Sequence, residues 1–331
     1  MRFFEAQAQA REQTLRLLVL FALTVVALVL AVNAALALTW RLMPLGLSGY
    51  PAYFFSVNTG VTLLFVLGGW WLETSVLDGG GERLARQAGA REAWPASREA
   101  ERRLCNIVQE LAIAASMKPP LAMVLARDDS INAFAAGWDE DDAVVAVTQG
   151  ALDCLTRDEL MGLLAHEFSH LREGDTRLNM RLAGMVFGLE MIFNLGSSMC
   201  EPDDNGRRSF LALPGFAIKA TGLLGWLAGR FLKAAVSRQR EFLADARAVQ
   251  FTRSRDGLGG VLRKAAGQAG VRAPSAHPAV RHMLLVGASG QERWFASHPP
   301  LAERIRRIYG RPMAALPARL DSPAPPDSLL R

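Results

Sequence analysis

Between Arg16 and Arg41 the chain runs for 24 residues, 17–40, without a charge. A helix crosses the hydrocarbon core of a bilayer in about 20 apolar residues. Lipid offers no hydrogen bonds to the backbone, so a spanning segment of this kind has to be helical, and the first span is placed at about 15–40. The apolar core of a signal peptide is shorter, roughly 7 to 15 residues, and Asn33-Ala34-Ala35 lies inside the run rather than after it. The segment is therefore read as retained. A second uncharged run, Leu42–Leu72, contains the turn-forming Gly49-Tyr50-Pro51 and closes on Trp70-Trp71, indoles that favour the membrane interface. This places a second span at about 52–72 and makes residues 1–72 a membrane hairpin. Arg2, Arg11 and Arg16 precede it, Arg41 alone lies between the spans, and Arg83, Arg86 and Arg91 follow. Positively charged flanks stay on the cytoplasmic side, so both ends of the hairpin are expected there.

After Leu72 charges become dense, and Gly79-Gly80-Gly81 breaks any continuing helix, which marks 73–100 as a linker. A helix is expected from Ser97, with Leu104, Ile107, Val108 and Leu111 on one face, until Pro119-Pro120 stops it. Strand-like pieces follow at Leu121–Ala126, Ile131–Ala136 and Ala143–Thr148. The expected class is mainly α with a small β-sheet, an α+β domain over 101–310. Within it, segments 181–200 and 210–236 are apolar but carry Glu190, Lys219 and Arg230. A charge near mid-bilayer costs about 2.5–3.5 kcal/mol on insertion scales. They are candidate third and fourth spans, with Glu190 and Lys219 able to pair. A last helix is expected at Pro299–Tyr309, and the proline-rich residues 311–331 are read as a disordered tail.

The net charge of +5 is spread along the chain without a basic, aromatic-interleaved cluster, so no nucleic-acid partner is expected. Cys105, Cys154 and Cys200 lack the close spacing of a thiolate metal site. They fit reduced thiols in a cytoplasm-facing domain.

Chemistry concentrates in His166-Glu167-Phe168-Ser169-His170. Thr156-Arg157-Asp158-Glu159 has the spacing of a capping box, so this pentapeptide lies on a helix of about 157–172. Residues four apart share a helix face, so both imidazoles can address one ion. Glu167 is displaced around the axis and stands beside that ion, where a general base for a metal-activated water belongs. Glu241, in Ser237-Arg238-Gln239-Arg240-Glu241-Phe242-Leu243-Ala244-Asp245, is the candidate third ligand. Two histidines and a glutamate make a catalytic zinc set with one position open. Asp245, on the same face, can fix the tautomer of a ligating imidazole.

Taken together, INAFAAG (131–137), VAVTQGALDCLTRDELMGLLAHEFSHLREGD (145–175), SRQREFLADARA (237–248) and ASHPPLAERIRRI (296–308) resemble the HtpX-type membrane zinc endopeptidases, distant relatives of the CAAX prenyl proteases, in that order along the chain. The resemblance implies a zincin-like metalloprotease domain holding one Zn2+ on His166, His170 and Glu241, with Glu167 as catalytic base and Asp245 behind the ligands. It also implies a strand at Asn132, Ala133, Phe134 and Ala135 along the cleft, where an extended substrate could add by backbone hydrogen bonds. It suggests protein or peptide substrates, a role in membrane-protein quality control, and residence in a bacterial inner membrane with the catalytic domain facing the cytoplasm. The sequence leaves the oligomeric state open.

His298 could stabilise a developing oxyanion with help from Arg304, against the plainer readings of a structural histidine and a surface arginine. For Asp175 a turn or capping role is favoured; His277 and His282 are read as structural, and Trp70-Trp71 as an interfacial anchor. Two rival readings of the whole chain remain: a non-proteolytic membrane scaffold, and a metal-dependent amidase acting on a cell-wall peptide. The filled catalytic positions speak against the first, the cytoplasmic face against the second.

Overall fold

The computed structural model describes residues 2–42, 49–96, 98–202, 212–268 and 299–317. It divides into two compact units, one of residues 1–76 with 181–233, the other of 77–180 with 234–331.

The first unit is helical. Its elements are α1 (Arg2–Leu42), α2 (Phe54–Leu77), which ends at the unit boundary, the greater part of α7 (Asp175–Cys200), and the first half of α8 (Ala212–Thr252). Leu18–Leu42, Phe54–Ser75 and Asp175–Cys200 are each long and apolar enough to cross a membrane. Their interior is a strip of Phe21, Val25, Leu28 and Val32 from α1, meeting Val66 of α2, Met185, Leu189 and Ile192 of α7, and Ile218 of α8. The opposite faces leave Leu30, Leu64, Trp71, Phe216 and Leu224 exposed, as helices bathed in lipid should.

Lipid tails are as apolar as leucine, so such helices associate through close packing rather than through exclusion from water. Glycines supply the closeness here. A Cβ on Gly188 would stand 2.4 Å from Val66 O, and one on Gly222 would stand 2.5 Å from Phe193 N. Trp70 packs inward at that contact, with its ring 5.9 Å from that of Phe21. Only Trp71 of the expected interfacial pair points outward. Lys219 lies over the Phe193 ring, and Arg230 is within electrostatic reach of Glu190.

The second unit sets helices against a four-stranded sheet of order β1-β2-β4-β3. Its elements are α3 (Gly80–Gln87), β1 (Arg91–Glu92), α4 (Glu99–Ala115), β2 (Leu121–Leu125), β3 (Ala133–Ala136), β4 (Val144–Thr148), α5 (Gln149–Cys154), α6 (Arg157–Glu173), α9 (Arg255–Gly267) and α10 (Leu301–Tyr309). Strands β2 and β4 run parallel with Leu121 opposite Val144, while β3 runs antiparallel to β4 with Ala133 opposite Val147. That leaves β3 at an edge, packed against α6.

Residues 73–100, expected as a linker, carry the end of α2, then α3 and β1. The glycine run begins a helix instead of only breaking one. Gly80 takes φ +79°, which L side chains avoid, and a Cβ on Gly81 would lie 2.6 Å from Ala136 O. Residues 311–317, expected as the start of a disordered tail, lie along α9, where Leu316 N donates to Arg263 O at 3.0 Å and Arg263 Nε donates to Ala314 O at 2.7 Å.

Two expectations follow. Gly188→Val puts a branched side chain where a backbone now passes, an overpacking cost of about 1–3 kcal/mol, and it should lower the unfolding midpoint of the detergent-solubilised chain. In the second unit, buried Glu101 accepts from Arg91 Nη1 (2.9 Å), Arg91 Nη2 (2.6 Å) and Trp94 N (2.7 Å). The bond from Arg91 outweighs burial and holds this carboxyl below the usual glutamate range. A carboxyl with a depressed folded-state pKa stabilises the fold in full above its unfolded value of about 4.3, and loses that contribution as pH falls through the lower folded value. Thermal scans should show Glu101→Gln destabilised by about 2 kcal/mol at pH 7, with the gap from wild type closing as pH drops below 4.

Candidate metal centre

Helix α6 is fixed at its start by a complete capping box: Glu159 N donates to the Thr156 hydroxyl, and the Glu159 carboxylate accepts from Thr156 N at 2.8 Å. Its far end closes on Gly174 in the left-handed region, φ +70°. Between these ends the helix is buried over Gly162–His170, so the polar His166, Glu167, Ser169 and His170 are held away from water. Close approach to α9 at Gly162, where a Cβ would meet Leu258 N at 2.3 Å, helps enclose it. Buried ionisable groups need partners, and the other elements bring them. Helix α8 contributes Glu241 and, one turn on, Asp245; α10 contributes Arg304, which is 0% exposed.

The ring nitrogens His166 Nε2 and His170 Nε2 lie 3.2 Å apart, with the rings edge to face. The Glu241 carboxylate straddles them, with Oε1 3.5 Å from His170 Nε2 and Oε2 3.6 Å from His166 Nε2. Ligand atoms about 2.0–2.2 Å from a tetrahedral zinc are separated from one another by roughly 3.3–3.5 Å. The three groups therefore have the spacing and chemistry of a His₂Glu zinc site, and together they form a set able to hold a metal ion.

Behind each imidazole stands an aspartate. His170 Nδ1 is 2.9 Å from Asp175 Oδ2, and His166 Nδ1 makes an oblique 3.1 Å contact with Asp245 Oδ1. Such contacts leave Nε2 of each ring for the metal side. Arg304 grips Asp245 through Nε (2.9 Å to Oδ2) and Nη2 (2.6 Å to Oδ1), and its Nη1 lies 3.4 Å from Glu241 Oε2. Arg240 donates to Asp175. Burial alone would raise the Asp245 pKa, but the Arg304 charge and the His166 contact prevail and hold it at about 2. Burial would likewise lower His166, yet its contacts with Asp245 and Glu241 raise it to about 9. Carboxylates that favour a proton on this ring favour a metal cation in its place.

Of the residues singled out in the sequence, His166, His170, Glu241 and Asp245 converge, and Glu167 is buried next to His166. Asn132 is buried at the head of β3, where its N–H donates to Thr148 Oγ1 at 3.0 Å and its Oδ1 accepts from Ala133 N at 3.1 Å. Ala133, Phe134 and Ala135 form the edge strand beside α6. His298, His277 and His282 lie outside the described residues. Arg304 is no surface arginine, and Asp175 both opens α7 and bonds the His170 ring. The signal for Asp175 was present in the sequence: an aspartate five residues after the second histidine, just past a helix-ending glycine.

A profile for Peptidase family M48 matches residues 98–311. Among curated proteins, a Protease HtpX homolog of Streptococcus gordonii is 31% identical over 324 residues, 92% of this chain and 98% of that protein. One from Dictyoglomus turgidum is 35% identical over 236 residues, 69% of this chain and 74% of its own length. One from Salinibacter ruber is 31% identical over 244 residues, 72% and 81% respectively. The crystal structure of S. mikatae Ste24p aligns with a TM-score of 0.42 at 17% identity, over 92% of this chain and 66% of that one, a likeness too remote to add to the fold described above.

Removing the oxygen that orients a ligand ring typically weakens metal binding about 10–100-fold. Asp175→Ala should therefore lower zinc affinity by that factor in a chelator competition, while α6 keeps its helical circular dichroism.

Proposed function

This chain belongs to peptidase family M48, and from that premise we propose that it is a membrane-bound zinc endopeptidase cleaving peptide bonds of protein substrates. The observation that carries the proposal is the convergence of His166, His170 and Glu241 beside buried Glu167. In this reading His166, His170 and Glu241 hold one Zn2+ per chain. Bound there, zinc supplies Lewis acidity, which acidifies water and polarises a carbonyl.

The chain's own groups do the rest. Glu167, one residue on from a ligand, takes a proton from the attacking water and returns it to the leaving amine, so its side chain must be ionised at the start of each turnover. Asp175 and Asp245 keep the imidazoles in the tautomer that presents Nε2. The edge of β3, buried but with no second strand paired to it among the described residues, is where an extended substrate would add, with backbone hydrogen bonds along Asn132–Ala135 holding the scissile bond in register. Binding through the backbone makes sequence preference loose, which suits unfolded or misplaced proteins as substrates. His298 is retained as a candidate oxyanion donor. The arginines flanking the first two spans support a catalytic unit on the cytoplasmic face of a bacterial inner membrane, where membrane-protein quality control is the role that fits.

A comparison of purified wild type with Glu167→Gln tests the core of this reading. Both should bind one zinc, and cleavage of an unfolded protein should fall by at least about 100-fold in the variant, the low end of what a positioned general base contributes. Equal activity in the two would remove Glu167 from the chemistry, and a wild type without zinc would remove the metal.

A further inference from the structure

Each imidazole of the candidate centre leans on an aspartate, and each aspartate is in turn held by an arginine from an element other than its own. His166 contacts Asp245 of α8, and Asp245 is gripped by Arg304 of α10; His170 contacts Asp175 of α7, and Asp175 accepts from Arg240 of α8. We infer that Arg304 and Arg240 are positioning residues of the metal centre, each fixing one ligand imidazole through the aspartate between them. The inference rests on the zinc reading above and deepens it.

The geometry of Arg304 carries most of the weight. Its Nε and Nη2 meet the two oxygens of one carboxylate, Oδ2 at 2.9 Å and Oδ1 at 2.6 Å. That fork-on-fork arrangement fixes the plane of the carboxylate as well as its position. The oxygen it holds, Oδ1, is the one 3.1 Å from His166 Nδ1. Its remaining Nη1 lies 3.4 Å from Glu241 Oε2, so a single planar group references both a ligand carboxylate and the support of a ligand ring. A lysine ammonium is a point charge and cannot hold this plane.

Helix α10 is seated to do this. Ile305 and Ile308 enter the core beside Arg304, and Arg307 stacks 3.5 Å from the centroid of Phe242, the residue after Glu241. Arg240, the residue before Glu241, secures the other aspartate. The two arginines thus place the third ligand and both imidazole supports in one frame.

The test uses the full chain in detergent and two readouts that a merely structural role would leave alone: zinc affinity by competition with a chromophoric chelator, and the visible absorption bands of the cobalt-substituted protein. Arg304→Met should bind zinc about tenfold or more weakly, the range seen when support of a ligand is lost, and shift the cobalt bands. Arg304→Lys keeps the charge without the fork and should stay close to the Met variant; if Arg304→Met does not fold, Arg304→Lys carries the test. In an Asp245→Asn background, adding Arg304→Met should cost little further affinity, and Arg240→Met should behave likewise against Asp175→Asn. Unchanged affinity and bands in variants that only melt earlier would overturn the inference, as would losses that multiply in the double variants. A wild type without metal affinity overturns the zinc reading and this inference together, whereas normal wild-type binding with unaffected variants overturns this inference alone.

Discussion

Everything in the second unit is arranged around a charge problem. Glu167, Asp175, Glu241 and Asp245 are all buried, and so are the two imidazoles they surround. Two guanidiniums stand against these carboxylates, Arg304 beside Asp245 and Glu241 and the mostly buried Arg240 beside Asp175. Buried charge without a partner is not tolerated. A proton on His166 adds positive charge among these groups, consistent with its raised pKa, and a metal cation held by His166, His170 and Glu241 would add more. The α6 capping box, the close approach of Gly162 to α9 and the docking of α10 fix the elements that carry these groups.

The local part of this solution could be read from the chain. His166 and His170 share a face because of their spacing, and Thr156 with Glu159 marks the helix start, as found. Glu241 and Asp245 were legible for the same reason, being one turn apart on another helix. What stayed hidden depends on tertiary contact. Helical spacing puts Arg304 on the face of Leu301, Ile305 and Ile308, apart from the exposed Arg306 and Arg307, but the carboxylates it meets there, Asp245 and Glu241, belong to another helix. Helix α9, rich in glycine and modest in hydrophobicity, shows its purpose only where its backbone meets Gly162. The run Gly79-Gly80-Gly81 was legible as a break in α2 but not as the start of α3, because its tight approach to Ala136 belongs to a partner far along the chain.

The first unit obeys a different solvent. Its helices keep leucines, phenylalanines and a tryptophan on their outer faces, an arrangement that would be costly in water and is neutral in lipid. Association then depends on how closely backbones approach, which is why Gly188 and Gly222 matter more here than any large side chain. The charges that made 181–200 and 210–236 doubtful as spans have neighbours within the unit, Phe193 for Lys219 and the Glu190 charge for Arg230. Such neighbours reduce the cost that insertion scales assign to a lone ion.

The route of the chain between the units has a consequence for the centre. It leaves the second unit just after Asp175, runs through most of α7 and the first half of α8, and returns just before Arg240. Closing a loop of this length costs entropy that grows only slowly with the number of residues, as the logarithm. One bond at its neck can therefore do much to hold the ends in register. The bond found there joins Asp175 to Arg240. The same aspartate contacts His170 Nδ1, and the residue after that arginine is Glu241. The pair that fastens the neck of the insertion thus also stands beside two of the three candidate ligands, His170 and Glu241.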